Sequence, residues 1–255
     1  MTRTDGTRSL LRSLELLEAV GAGVHDLDGL VENTRLPRST AHRLLSALVQ
    51  RRYLRHQPGD GYRLGSMLIQ LGFAAQSQLH LSSVARPHME RLARSTCETV
   101  HLAVLDGRDI VYIDKVTGSR GLLMASRIGA RAPAQTTALG KVLVAGLPRR
   151  EWEGRFDPAV RPMPRSPADE ESYLAGLRSC AEAGYAVDDE ENEPGVRCLG
   201  VPIRDATGTV VAAISISGAS VYLSDERMRE LKPEVQATGE AISNELGWRE
   251  RNTLA

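Results

Sequence analysis

Apolar residues recur at helical spacing through the first fifty positions. Leu10, Leu14 and Leu17 form one stripe of a helix expected over Ser9–Gly21, which a Gly-Ala-Gly run ends. A short second helix is expected over Asp26–Asn33, with Leu27, Leu30 and Val31 inward. After the turn Thr34-Arg35-Leu36-Pro37, the residues Ala41, Leu44, Leu45, Leu48 and Val49 fall at i, i+3, i+4, i+7 and i+8. That is the buried stripe of a third helix, Pro37–Gln50, with Pro37 at a start where its missing N–H costs nothing. Its other side carries Arg38, Ser39, Thr40, His42 and Arg43. Short alternating segments Tyr53–His56 and Tyr62–Leu64 flank Pro58-Gly59-Asp60-Gly61, a hairpin signal. Helix, helix, basic helix and hairpin in this order predict an all-α-rich winged helix-turn-helix over 1–65.

The pattern then changes. Met67, Leu68, Leu71 and Ala75 predict a helix over 66–79, and another follows over 83–95. Residues 66–82 read as a linker helix and 83–255 as a second domain. Strands are expected at 100–105, 110–116, 122–126, 185–188, 196–204 and 210–217, separated by Asp-Gly and Gly-rich turns. Helices are expected at 137–145 and 168–182, with a Pro-rich loop at 157–167. A last helix starts at Ser224, a good N-cap with Asp225 and Glu226 behind it, and Pro233 is expected to kink or end it. Antiparallel strands with helices between them predict an α+β sensor-like domain and not a parallel nucleotide-binding sheet.

Composition narrows the function classes. The 255 residues hold 32 basic and 32 acidic side chains, so net charge alone suggests no polyanionic partner. Its distribution does: between Thr34 and Gln57 there are six Arg, two His and no acid, a local footprint suited to phosphates. A helix offering Arg, Ser, Thr and His from its first two turns within that window has the form of a DNA recognition helix. The expected DNA contacts are Arg35, Arg38, Ser39, Thr40, His42 and Arg43, with Arg55 and Arg63 on the wing. No apolar run is long enough to span a membrane and Met1–Gly6 lacks an export segment, so a cytoplasmic location is expected. Three cysteines without a CxxC pair predict reduced thiols and neither a disulfide framework nor a zinc ribbon.

Five motifs then line up: Leu36-Pro37-Arg38-Ser39-Thr40-Ala41-His42-Arg43-Leu44-Leu45, Tyr62-Arg63-Leu64-Gly65, Ala138-Leu139-Gly140-Lys141, Gly195-Val196-Arg197-Cys198-Leu199 and Ile214-Ser215-Ile216-Ser217-Gly218. In this order the chain resembles the IclR family of bacterial transcriptional regulators, from about Ser9 to Leu246. The stretch from Thr99 to Lys141 is most similar to the regulators of 2-keto-3-deoxygluconate metabolism. The resemblance implies a GAF-like effector domain, no cofactor, a homodimer or a homotetramer built as a dimer of dimers, and a small carboxylate effector, a keto acid or sugar acid. It implies effector contacts from Ala138, Leu139, Asp188, Cys198, Ser215 and Ser217, and an operator of pseudo-palindromic double-stranded DNA.

The chemistry of those residues agrees. Ala138 and Leu139 fall in the first turn of a helix, where unpaired N–H groups and the helix dipole favour an anion. Ser215 and Ser217 are two apart on a strand and share a face. Asp188 accepts hydrogen bonds and repels a carboxylate, so it belongs at the end of the pocket away from the anion. Without the resemblance, sheet hydrogen bonding accounts equally well for the serines and core packing for Cys198. The rival class is a cysteine-dependent hydrolase or amidase using Cys198, His101 and Asp188. Nothing local marks Cys198 as activated, and a winged helix has no part in that account. His80, His88, His101 and the cysteines form no recognised metal-ligand spacing.

Overall fold

Three helices open the chain: α1 (Arg3–Gly21), α2 (Leu27–Thr34) and α3 (Arg38–Gln50). In this computed structural model, residues 3–78, 80–120, 124–160, 167 and 169–249 are described. Asp26 caps α2 by accepting the Gly29 N–H at 2.8 Å, which satisfies one of the first-turn donors. Arg35, at φ 53°, ends α2 in the left-handed region, and Pro37 precedes α3 as its N-cap. Leu16, Leu30, Leu36, Ala41, Leu45, Leu54 and Tyr62 close the core of this unit. The stripe expected on α3 is the one observed, with Ala41 and Leu45 buried and Leu44, Leu48 and Val49 packed around them.

On α1 the expected stripe holds only at Leu17, which packs against this core. Leu10 and Leu14 are exposed, together with Leu11, and the buried side is Leu16, Ala19 and Val20. The helix carries two apolar stripes, and only one of them meets α2 and α3. Strands β1 (Leu54–Gln57) and β2 (Gly61–Leu64) pair antiparallel as the wing. The wing is pinned beside its turn, where the Tyr62 N–H donates to the His25 carbonyl at 2.7 Å. Gly61 allows this approach: its φ is +72°, and a Cβ there would lie 2.3 Å from the His25 carbonyl oxygen. Helix α4 (Ser66–Gln78) follows and completes the first compact unit, Met1–Gln78. Leu71 is exposed on it, against expectation, as are Ile69 and Phe73, while Met67 and Leu68 are half-buried and the side chain of Ala75 is outside the described set. Here too one helix carries more apolar surface than its own unit covers.

The second unit, Leu79–Ala255, is built on one antiparallel sheet of order β5-β4-β3-β8-β7-β6. Its strands are β3 (Thr99–Asp106), β4 (Asp109–Val116), β5 (Arg131–Pro133), β6 (Ala186–Asp189), β7 (Val196–Arg204) and β8 (Val210–Ala219). Alternation splits the sheet's side chains. Val100, Leu102, Leu199, Val201, Ile214 and Ile216 pack with α5 (Leu81–Thr96) and α8 (Asp225–Glu245). Ala103, Tyr112, Ala186 and Ala213 pack with α6 (Ala138–Ala145) and α7 (Glu170–Ala183). The expectation of an α+β second domain is met.

Two details differ from expectation. Leu122 and Leu123 lie outside the described residues, as does 161–166 of the Pro-rich loop, and Met124–Ser126 form no strand. The Ser126 carbonyl goes instead to Lys115 Nζ at 2.7 Å, and Arg131–Pro133 takes the place beside β4. Pro233 neither ends nor divides α8, which runs unbroken to Glu245. The proline costs one i→i−4 bond, whereas Met228, Leu231, Val235 and Ile242 bury a continuous stripe on both sides of it. Packing therefore outweighs the local break.

Candidate functional site

The first candidate surface is the outer side of α3. Arg38, Ser39, His42 and Arg43 are exposed and Thr40 is half-buried, because Ala41 and Leu45 fix the opposite side in the core. Arg35 is exposed at the turn and Arg55 on β1. Two of these arginines have acidic partners. Arg38 is paired with Asp28 at the start of α2, and Arg63 with Asp60 across the wing turn at 2.6 Å. Both pairs are largely solvated and therefore weak, so a phosphate can displace the carboxylate.

The second candidate site is a cavity of about 470 Å³ on the α6 side of the sheet, walled by His101, Tyr112, Ser126, Asp188, Cys198 and Ser217. Strand register explains the set. Asp188 lies opposite Cys198, and Cys198 opposite Ser217, so the three form one row across β6, β7 and β8. The next row is Gly200, Ser215 and His101. Helix α6 comes down on that row: a Cβ on Gly200 would stand 3.0 Å from the Ala138 carbonyl carbon and 3.2 Å from the Leu139 nitrogen. Thr137 caps the helix through the Gly140 N–H at 3.0 Å, and the helix's own ladder starts with Lys141. The amides of Ala138 and Leu139 thus have no intrahelical acceptor. Of the six expected effector contacts, Asp188, Cys198 and Ser217 face the cavity; Ala138, Leu139 and Ser215 stand one row further in.

The cavity is polar, and burial pushes Asp188, His101 and Cys198 toward their neutral forms. Burial raises the Asp188 carboxyl to about 6, against the amides of Glu191 and Asn192 and the charge of Lys141, which pull it down. One Asp188 oxygen accepts both amides, at 2.8 and 3.3 Å. His101 is depressed to about 3 by burial and then by Lys115, so its ring is uncharged across the physiological range. Its Nδ1 meets Ser217 Oγ at 3.2 Å and its Nε2 meets Ser126 Oγ at 2.8 Å. Burial, then Asp188, pushes the Cys198 thiol well up.

This geometry does not make the thiol nucleophile of the rival reading. The two ring nitrogens of His101 are taken by serines, and Asp188 is bonded to a turn, not to the imidazole. Thiol and imidazole are both shifted toward their neutral forms, the reverse of what a thiolate–imidazolium pair needs. Among the described residues, no group of three His, Cys, Asp or Glu is placed to hold a metal, and no helix is long and apolar enough to cross a membrane.

The sequence suggested His101 as a rival base or a metal ligand and did not identify His101, Tyr112, Ser126, Asn192 or Glu193 as effector-cavity residues. His101 shares a face with Ser215 and Ser217 only through the β3–β8 register, which no local pattern encodes. Ser126 lies in the stretch expected as a strand, and its described part, Met124–Ser126, forms none.

Residues 9–58 match the family described as the IclR helix-turn-helix domain, and residues 73–244 the one described as bacterial transcriptional regulator IclR C-terminal. The HTH-type transcriptional regulator XynR of Escherichia coli K12 is 34% identical over 249 residues, covering 94% of this chain and 98% of that protein. The regulator KdgR of the same organism is 34% identical over 251 residues, covering 96% and 94%. The crystal structure of the Agobacterium tumefaciens repressor BlcR superposes with a TM-score of 0.82 at 29% identity, covering 96% of this chain and 99% of that one. A helix-turn-helix followed by an α+β unit is thus shared with transcription regulators along nearly the whole chain, and the chain belongs to the IclR family of bacterial transcriptional regulators.

Proposed function

We propose that the cavity beside α6 binds a small polyhydroxylated carboxylate, a sugar acid or a keto acid derived from one, and that its occupancy controls how α3 engages operator DNA. The observation that carries this is the polar row Asp188, Cys198 and Ser217 lying next to an α6 first turn with two amides free of the helix ladder. The amides of Ala138 and Leu139 suit the carboxylate. Asp188, Ser217, Ser215 and the neutral His101 suit hydroxyl groups, which disfavours an apolar aromatic acid. Control requires different DNA affinities in two arrangements of the regulator.

On the DNA side, Arg38, Ser39, Thr40, His42 and Arg43 are assigned to the major groove, and Arg35, Arg55 and Arg63 to the backbone. The exposed Leu10, Leu11 and Leu14 on α1, and Ile69, Leu71 and Phe73 on α4, form more apolar surface than a monomer usually leaves open. Their burial between copies supports a homodimer, alone or paired into a tetramer, reading a pseudo-palindrome.

A thermal-shift panel of sugar acids, keto acids and aromatic acids tests the effector class; stabilisation by aromatic acids alone would overturn it. Ser217→Ala is expected to weaken binding of the responding acid by about 1 kcal/mol, the net worth of one hydrogen bond, with ligand-free DNA affinity unchanged. Arg43→Ala is expected to cost about 1–3 kcal/mol in a mobility-shift titration on duplexes selected in vitro from random sequence. Unchanged affinity would remove Arg43 from the interface.

A further inference from the structure

Lys141 closes the Ala138-Leu139-Gly140-Lys141 motif, yet it does not line the effector cavity. It lies on the wall of a separate cavity of about 500 Å³, with Tyr173 and Cys180, between α6, α7 and β6. There its Nζ donates to the Val187 carbonyl at 3.0 Å and to the Glu191 carboxylate. Both charged side chains are nearly buried, at 13% and 9% exposure. An ion pair this deep costs desolvation that a lysine on an outer helix face avoids.

Glu191 leads back to the effector cavity. Its own N–H, with that of Asn192, holds Asp188 Oδ1. The Thr136 hydroxyl donates to Asn192 Oδ1 at 3.3 Å. The turn between β6 and β7 is therefore tied to α6 at two points that flank the helix's first turn, Thr136 before it and Lys141 after it. The same turn supplies Asn192 and Glu193 to the wall of the effector cavity.

We infer that Lys141 and Glu191 are positioning residues, a buried ionic strut that fixes the β6–β7 turn against α6 and so sets the distance between the Asp188 acceptor and the amides of Ala138 and Leu139. The strut follows from the contacts alone; its consequence for ligand rests on the proposed effector site. A single charged contact thereby fixes the spacing between the two ends of the ligand, while Lys141 itself touches none of it.

The test is amide hydrogen exchange by NMR on the full-length, ligand-free protein, comparing Lys141→Met with Lys141→Arg. Methionine keeps the length and loses the charge, whereas arginine retains donors for Glu191 and Val187. The Glu191 and Asn192 amides are expected to exchange about tenfold faster with methionine and within about twofold of the parent with arginine, while β3 and β8 stay unchanged. Unchanged exchange in Lys141→Met, equal acceleration across the sheet, or arginine behaving as methionine would each overturn the strut. D-gluconate, titrated as a probe sugar acid, is expected to bind about tenfold more weakly to Lys141→Met than to the parent, by the same loosening of the turn. Equal gluconate affinity in the two would overturn the positioning role. Failure of gluconate to bind the parent counts against the sugar-acid reading, and the exchange result then decides the strut by itself.

Discussion

Replacing Gly140 by alanine is expected to destabilise the second unit by about 3 kcal/mol or more. In an unconstrained helix interior the same change stabilises by about 1 kcal/mol, so the two effects have opposite signs and the measurement distinguishes them. The reason is steric. A Cβ at Gly140 would lie 2.2 Å from both the Cα and the carbonyl oxygen of Ala134. These are backbone atoms and cannot swing aside as the end of a side chain can. Helix α6 must move, and it is gripped on its other sides: Leu139, Val142 and Leu143 are buried in the core shared with α7. Moving it also strains the Thr137 cap, which bonds the Gly140 N–H itself. Urea denaturation of parent and variant checks this, and a variant at least as stable as the parent would show that α6 does not sit this tightly on Ala134. Any surviving folded protein is expected to bind sugar acids poorly, since the first turn of α6 would no longer rest on Gly200.

The reading frame of the helix-turn-helix was legible because its information is local. The α3 stripe and the wing turn each lie within a few residues of what they control. The failures come where an element has more apolar residues than one partner can cover. Leu10 and Leu14 keep helical spacing as well as Leu16, Ala19 and Val20 do, and spacing alone does not say which stripe the core takes. Pro233 shows the converse, a strong local signal overruled by a buried stripe on both sides of it. At the candidate site, Asp188, Cys198 and Ser217 came from family motifs, and the register of β6, β7 and β8 then explains why they share a row. His101 and the Lys141–Glu191 pair were not legible, because each depends on which strands or turns become neighbours. In the effector reading the sequence gives Asp188 one role, as a hydrogen-bond acceptor for ligand; the structure adds another, holding the β6–β7 turn through two amides.

Those two roles separate in a pair of substitutions. Asp188 is buried, and its carboxyl is raised from 3.8 to about 6 in the fold. The folded state therefore holds this proton more tightly than the unfolded chain does. Stability falls as pH rises from about 4 through about 6, then levels off with a loss of the order of 3 kcal/mol at neutral pH. Asp188→Asn keeps an oxygen for the amides of Glu191 and Asn192 and removes the buried charge. It is expected to be more stable than the parent at pH 7.5, by about 1–3 kcal/mol, and to lose that advantage toward pH 4. Asp188→Ala leaves both amides without their acceptor, at about 1–3 kcal/mol each, and is expected to be the less stable of the two variants at every pH. Both should weaken sugar-acid binding, because neither presents the second carboxylate oxygen to the cavity. Urea midpoints at pH 5 and 7.5, set beside gluconate titrations, separate the cases. If the asparagine variant proved less stable than the parent at pH 7.5, the burial penalty would be wrong. If it bound ligand as the parent does, Asp188 would be a turn residue alone. The expected combination, a more stable protein that responds less to its effector, is what a buried carboxylate retained for binding would produce.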